Sequence, residues 1–256
     1  MTTRSRTGLK GFVVAAALFA IPVAGTAQAV AATPPADAVW NYIAARDVDP
    51  GRILPAPPRA GSAAEAAELA DVRRIVAAAS PERLAQAHFD DEHEDPSIFD
   101  MAAGASFAAR ALPATWALLR AVQTESDAAT SMSKAYFRRV RPWGVDPTLP
   151  NCDAGKGKSQ LGSYPSGHSA LGYSVGAMLA ELIPERAAAI QARAKDYALS
   201  RVICGVHFPS DTEASHVIGA IVVTRLLTDP RVAPMIAAAR AELSRAELPR
   251  AGVSRP

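Results

Sequence analysis

Residues 165–184 read Pro-Ser-Gly-His-Ser-Ala-Leu-Gly-Tyr-Ser-Val-Gly-Ala-Met-Leu-Ala-Glu-Leu-Ile-Pro, and this stretch decides the fold class. Prolines bound it at both ends. Between them, small and apolar residues run without a breaker, which predicts a helix over 167–182 that stops before Pro184. Ser166 can serve as its N-cap. The run is too short to span a bilayer and carries Glu181, so it reads as a core helix.

The same pattern extends in both directions. Downstream, helices are expected over 184–201, over 210–227 and over 232–248, with Pro230 ending the second. The 210–227 segment is the most apolar, yet it is also short of a span and contains Arg225. Upstream, 62–79 has Ala and Leu at helical spacing. Ser80-Pro81-Glu82 opens another helix, with Ser as cap and Pro at the first helical position. A long apolar segment covers 98–122, with a bend expected near Pro113. Asp127 is placed to cap a further helix running to about Val140. No alternating β-branched run stands out. These features predict one all-α domain, a compact helical bundle over 62–256, without internal repeats.

The first residues read differently. Arg4, Arg6 and Lys10 precede an apolar run of about 14 residues, too short for a convincing span. Ala27-Gln28-Ala29 then offers a small-x-small cleavage site, so 1–29 reads as a cleaved secretory signal peptide. The expected location is periplasmic or secreted, without stable membrane insertion once the leader is removed. Residues 30–61 form a Pro-rich N-terminal arm. Pro34-Pro35 and Leu54-Pro55-Ala56-Pro57-Pro58 rule out continuous helix there. Its Trp40, Tyr42, Ile43, Ile53 and Leu54 suggest that it packs on the body.

The sequence has 27 Lys and Arg against 25 Asp and Glu. Three of these cations and none of the acids lie in 1–29, leaving 24 against 25. The basic balance belongs to the leader and gives no argument for nucleic acid binding. The two cysteines, Cys152 and Cys204, suit an oxidising compartment and are expected to form a disulfide.

Three further segments carry chemistry in this order. Lys134 and Arg141 lie seven residues apart, which returns them to one helical face about 20° apart. Arg141 precedes Pro142 and should sit where the helix ends. Pro165-Ser166-Gly167-His168 opens the central helix, where free N–H groups favour an anion and Gly167 allows close backbone approach. Ser200-Arg201 and His207 with Asp211 complete the set. Arg201 offers a planar fork to oxyanions. A carboxylate four residues after an imidazole can hold one ring N–H and leave the other nitrogen free to attack. Each segment also has a structural account. Cations near a helix C-terminus complement its dipole, as Arg138 and Arg139 are read to do. His207 could be a hydrogen-bonded loop residue. Ser210-Asp211-Thr212-Glu213 forms a capping box without any catalysis. Taken together, the three segments give an anion site at helix ends and loops.

In this order and spacing they resemble the signature of the type 2 phosphatidic acid phosphatase superfamily, and more fully the bacterial class A non-specific acid phosphatases. Gly162-Ser163-Tyr164-Pro165-Ser166-Gly167-His168-Ser169 is similar to that class's central motif, with Ser169 where Thr is commoner. Ser200–His207, Leu54–Pro58 followed by Gly61-Ser62, and Lys134 to Pro142 also resemble it. Ala214-Ser215-His216 departs from an Ala-Gly-Arg-like stretch. The resemblance implies a metal-independent hydrolysis of phosphate monoesters with no cofactor, since the cations supply the charge a metal would. It implies His207 as nucleophile, Asp211 as its orienting group and His168 as acid then base. Lys134, Arg141, Ser166, Gly167 and Arg201 would bind the phosphoryl oxygens.

Other residues are set aside. Asp90-Asp91-Glu92-His93-Glu94-Asp95 reads as a solvated loop, with His88 and His93 in it. His216 reads as a satisfied core histidine. Tyr136, Trp143 and Tyr164 are open between pocket lining and packing. Phosphotransfer by the same intermediate, a vanadium haloperoxidase, a membrane lipid phosphatase and a phosphate-binding protein are the competing readings. Homo-oligomerisation stays open.

Overall fold

The structure, a computed structural model, describes residues 38–246 together with Met1, Pro35 and Ala36. The leader assigned to 1–29 lies outside the described residues. The helices are α1 (Pro50–Ile53), α2 (Ala63–Ala78), α3 (Pro81–Glu92), α4 (Asp100–Ala103), α5 (Pro113–Phe137), α6 (Pro142–Val145), α7 (Gly167–Leu182), α8 (Ala187–Ile203), α9 (Pro209–Thr228) and α10 (Ala233–Arg245). No strand occurs among the described residues, so the chain is all-α there. None of their helices is long and apolar enough to cross a membrane.

Local chemistry sets the helix starts. Ser62 Oγ accepts the Glu65 N–H at 3.2 Å, and Ser80 Oγ accepts that of Arg83 at 3.2 Å, each satisfying a free donor of the first turn. Pro81 fills the first position of α3. Pro113 does the same for α5, which corrects the expected bend: α5 begins at Pro113 and runs unbroken for 25 residues. Residues upstream form only short turns over 96–103. Asp127 is therefore no cap but a mid-helix residue. The start of α5 is capped from far away, since Glu242 of α10 accepts the N–H groups of Ala114 (3.0 Å) and Thr115 (2.7 Å).

The central helix is α7, packed between α5, α8 and α9. Leu171, Val175, Met178 and Leu179 are all fully buried. Glycine makes the crossing with α9 close. A Cβ on Gly219 would lie 2.9 Å from the Ser174 amide nitrogen, so any side chain there would force the helices apart. Outside this layer, α10 covers α5, and α2 and α3 cover α8. The 38–61 segment is pinned by buried Glu125, whose carboxylate accepts the N–H groups of Asn41, Tyr42 and Ile43 at 2.7–3.1 Å. Ile43, Val48 and Leu54 enter the core.

Candidate active site

Helix ends meet at one side of the bundle. The last turn of α5 carries Lys134, and Arg138 then takes a left-handed conformation (φ 49°) that ends the helix. Arg139 to Arg141 continue extended. The Arg141 N–H donates to Gln160 O at 2.9 Å and the Ser163 N–H to Arg139 O at 3.1 Å, which brings 159–163 alongside. The first turn of α7 supplies Ser166, Gly167 and His168. The last turn of α8 supplies Arg201. Gly205 (φ 66°) then turns the chain toward His207, passing so close to Pro150 O that a Cβ would lie 2.1 Å from it. A disulfide joins Cys152 to Cys204 beside this turn.

His207 is 2% exposed and held on both sides. Its Nδ1 lies 2.7 Å from Ser163 O and 3.4 Å from Asp211 Oδ2. A carbonyl only accepts, so Nδ1 carries the hydrogen and Nε2 keeps its lone pair. Nε2 lies 3.1 Å from Arg141 Nη1, a donor that fits this tautomer. Burial first, then Arg141, Lys134 and Arg201, hold the His207 pKa well below the ordinary value, which favours the neutral ring.

Asp211 is fully buried. Its carboxylate accepts from Ser163 Oγ (2.6 Å), the Phe208 N–H (2.8 Å) and Arg139 Nη1 (2.7 Å). The Phe208 contact is half of a capping box, with Phe208 rather than Ser210 at the cap position. Burial raises the Asp211 carboxyl, to about 6, against the pull of Arg139, Ser163 and the Phe208 amide.

Arg139 is thus part of the constellation and not a dipole-complementing cation, as its sequence position suggested. It is buried, reaches Asp211 and Glu68 (2.6 Å), and lies 3.9 Å over the Phe208 ring. Its partners are 71 and 72 residues away, so no local pattern marks it. Arg138, in contrast, is exposed.

The other cations converge on a pair of acids. Arg141 Nη1 lies 3.3 Å from Asp153 Oδ2, and Arg201 Nη2 lies 3.4 Å from Asp153 Oδ1. Arg201 also pairs with Asp91, which Lys156 approaches from the other side. The Nε of Arg201 is buried without a partner. Lys134 Nζ stands 3.5 Å from where a Gly167 Cβ would be, which places the cation beside the start of α7. Burial, then Arg141, lower the Lys134 pKa to about 8. Ser166 is fully buried, its hydroxyl accepting the Ser169 N–H at 3.3 Å and the Ser169 hydroxyl at 2.9 Å.

His168 faces the same space from α7. Its Nε2 lies 3.2 Å from the Asp91 carbonyl oxygen, which leaves Nδ1 toward Glu94 Oε1 at 3.2 Å. Burial, then Arg201, depress the His168 pKa, while the Asp91 carbonyl opposes them. All eight expected site residues therefore lie around one cluster of buried cations and imidazoles.

Comparison with known proteins shows the family. A family model described as the PAP2 superfamily matches residues 108–232. The "Non-specific acid phosphatase" of Salmonella typhimurium is 36% identical over 151 residues, 57% of this chain and 60% of that protein. The "Acid phosphatase" of Zymomonas mobilis is 38% identical over 129 residues, 50% of this chain and 48% of its own length. The "Non-specific acid phosphatase" of Providencia stuartii is 30% identical over 205 residues, 77% of this chain and 82% of that protein. The chain belongs to the bacterial class A acid phosphatases of the PAP2 superfamily. It spans 60% and 48% of the first two relatives.

Within this class A frame, three residues set aside in the sequence, Asp90, Asp91 and His216, take other places. The run from Asp90 is not a solvated loop. Asp90 and Asp91 are buried, Asp90 pairing with Arg193 at 2.6 Å and Asp91 with Arg201. The signal was the eight-residue spacing of Arg193 and Arg201, which puts two cations on one face of α8 toward α3. His88 is exposed, and His93 stacks on Phe89 with ring centroids 3.8 Å apart. His216 is exposed and stacks on Tyr173, so it is not a core histidine. Tyr164 is buried and donates to Pro55 O at 2.7 Å, Trp143 packs against the Cys152–Cys204 cluster, and Tyr136 is exposed.

Proposed function

We propose that the protein is an exported, metal-independent acid phosphatase that hydrolyses phosphate monoesters of broad structure through a phosphohistidine on His207. The observation that carries this reading is the His207 geometry. A neutral imidazole with its Nδ1 hydrogen engaged keeps the Nε2 lone pair among buried cations, which is what nucleophilic attack on an anionic phosphoryl group requires. Names of the relatives point the same way.

In the first step Nε2 attacks phosphorus and the ester P–O bond breaks. His168 gives its proton to the leaving alkoxide. The phosphorylated ring becomes cationic, and its Nδ1–H faces the Ser163 carbonyl and the Asp211 carboxylate, which stabilise that charge. In the second step His168 takes a proton from water, the water oxygen attacks phosphorus, and the P–N bond returns its electrons to His207. Lys134, Arg141, Arg201 and the Gly167 amide meet the charge that spreads over the phosphoryl oxygens. The depressed pKa of His168 bears on the first step. Substrate brings negative charge against Arg201 and Lys134, offsets the cations that disfavour the imidazolium, and loads the acid as it binds.

The test is hydrolysis of p-nitrophenyl phosphate at mildly acidic pH in excess EDTA. Turnover is expected. A folded protein that binds phosphate but turns over nothing would end the reading.

A further inference from the structure

A polar cleft of about 300 Å³ opens beside the proposed phosphoryl site, lined by Glu94, Arg120, Gln123, Asp127, Thr130, Ser131, Lys134 and Gly167. Lys134 and Gly167 belong to both spaces, so the cleft begins where the phosphoryl group would end. No aliphatic or aromatic side chain lines it. Glu94 Oε1 lies 3.2 Å from His168 Nδ1 and 3.7 Å from where a Gly167 Cβ would stand. If His168 protonates the leaving oxygen, the atoms beyond that oxygen pass Glu94. Asp127 stands on the same wall. Thr130 is 2% exposed and its hydroxyl has no partner, a buried polar group that a ligand hydroxyl could satisfy.

Resting on the phosphatase reading, we propose that Glu94 and Asp127 determine specificity on the leaving-group side, admitting hydroxylated leaving groups and rejecting those that carry a carboxylate. The charges near this wall divide by task. Lys134, Arg141 and Arg201 meet the phosphoryl oxygens. Arg120 is partly occupied by Gln123, whose Oε1 it meets at 2.6 Å. Its guanidinium keeps its charge, so the sign beside the leaving oxygen is set by the group nearest it, Glu94 next to His168. A like charge placed a few ångströms from Glu94 is repelled, and the repulsion is stronger than in water because the cleft is partly closed. A neutral polyol instead donates hydrogen bonds to the same carboxylates. The side chain of Glu94 is 41% exposed, so it can also swing aside for bulk, which leaves charge rather than size as the criterion. Crowding and Glu94 push the Asp127 carboxyl upward, although its own exposure limits the rise. Its share of the repulsion therefore falls in acid.

Glycerol 3-phosphate and 3-phosphoglycerate test this, because they differ chiefly in a terminal CH2OH against a carboxylate. The readout is the ratio of their kcat/KM values on one preparation, which cancels any loss of active protein or of general catalytic power. The wild type should favour glycerol 3-phosphate by about tenfold or more at low salt. Glu94→Gln should bring the ratio to within about threefold, and Asp127→Asn should narrow it less. A wild-type ratio near one, or a ratio that neither substitution moves, overturns the proposal while leaving the phosphatase reading in place. Absence of turnover on both esters by the wild type would remove the phosphatase reading and this proposal with it.

Discussion

The two imidazoles of the site are both buried but held in opposite ways. His207 is locked: Ser163 O and Asp211 hold Nδ1, Asp211 is fixed by Arg139 and Ser163, and Arg139 is tied to Glu68 on α2. That network joins α2 and α9 to the loops that carry Arg139 and Ser163. His168 is held by one backbone carbonyl on Nε2 and, on Nδ1, by the carboxylate of Glu94, whose side chain is 41% exposed. The difference matches the two proposed tasks. A nucleophile gains from one fixed tautomer and one fixed direction. A group that alternately gives and takes a proton gains from surroundings that substrate can change.

The sharpest way to break this contrast is to remove each ring. His207→Ala should lower kcat by at least roughly 10⁴-fold on every ester, because the covalent step goes with it. His168→Ala should depend on the leaving group. Alkyl phosphates should lose about 10²- to 10⁴-fold, and p-nitrophenyl phosphate, whose leaving group needs little protonation, should lose clearly less. Equal losses on both esters would remove His168 from the acid role.

The contrast also explains what could be read from the sequence. Helices announced by local chemistry were legible: α2 and α3 by their serine caps, α7 by its bounding prolines. The eight candidate site residues could be named from the sequence because their spacing lies within short segments, and the structure brings them together. What escaped was long-range pairing. Arg139 gains its meaning from Glu68 and Asp211, and Asp90 and Asp91 gain theirs from α8, so each looks like a surface charge when read along the chain. Pro113 was misplaced for a related reason. A proline suits both a kink and a first turn, and the choice was made by Glu242 of α10, which caps α5 from across the fold.

The Arg139 network gives the next largest effect. Arg139→Met leaves Asp211 buried without its cation, which should cost about 3–5 kcal/mol of stability and about 10² in kcat/KM as His207 loses its alignment. The sign of the pH effect follows from the same loss. Arg139 lowers a carboxyl that burial has raised to about 6, so removing it moves that pKa higher. Ionised Asp211 is then scarcer in acid, and the acid limb of the rate profile should shift to higher pH. An unmoved limb would mean that Asp211 ionisation does not govern His207.

The smallest effect on turnover is expected at the disulfide, which stands behind the site. Replacing both Cys152 and Cys204 by Ser releases a closure spanning 52 residues. Urea denaturation should show a loss of about 4 kcal/mol in the chain-entropy account, with kcat reduced far less than by Arg139→Met.

The central claim is that His207 takes the phosphoryl group. Rapid acid-free quenching of the enzyme during turnover, followed by peptide mass spectrometry under alkaline conditions, tests it directly. The account predicts phosphate on the peptide containing His207, absent in His207→Ala. A phosphorylated His168 peptide, or full turnover without any phosphoenzyme, would contradict it.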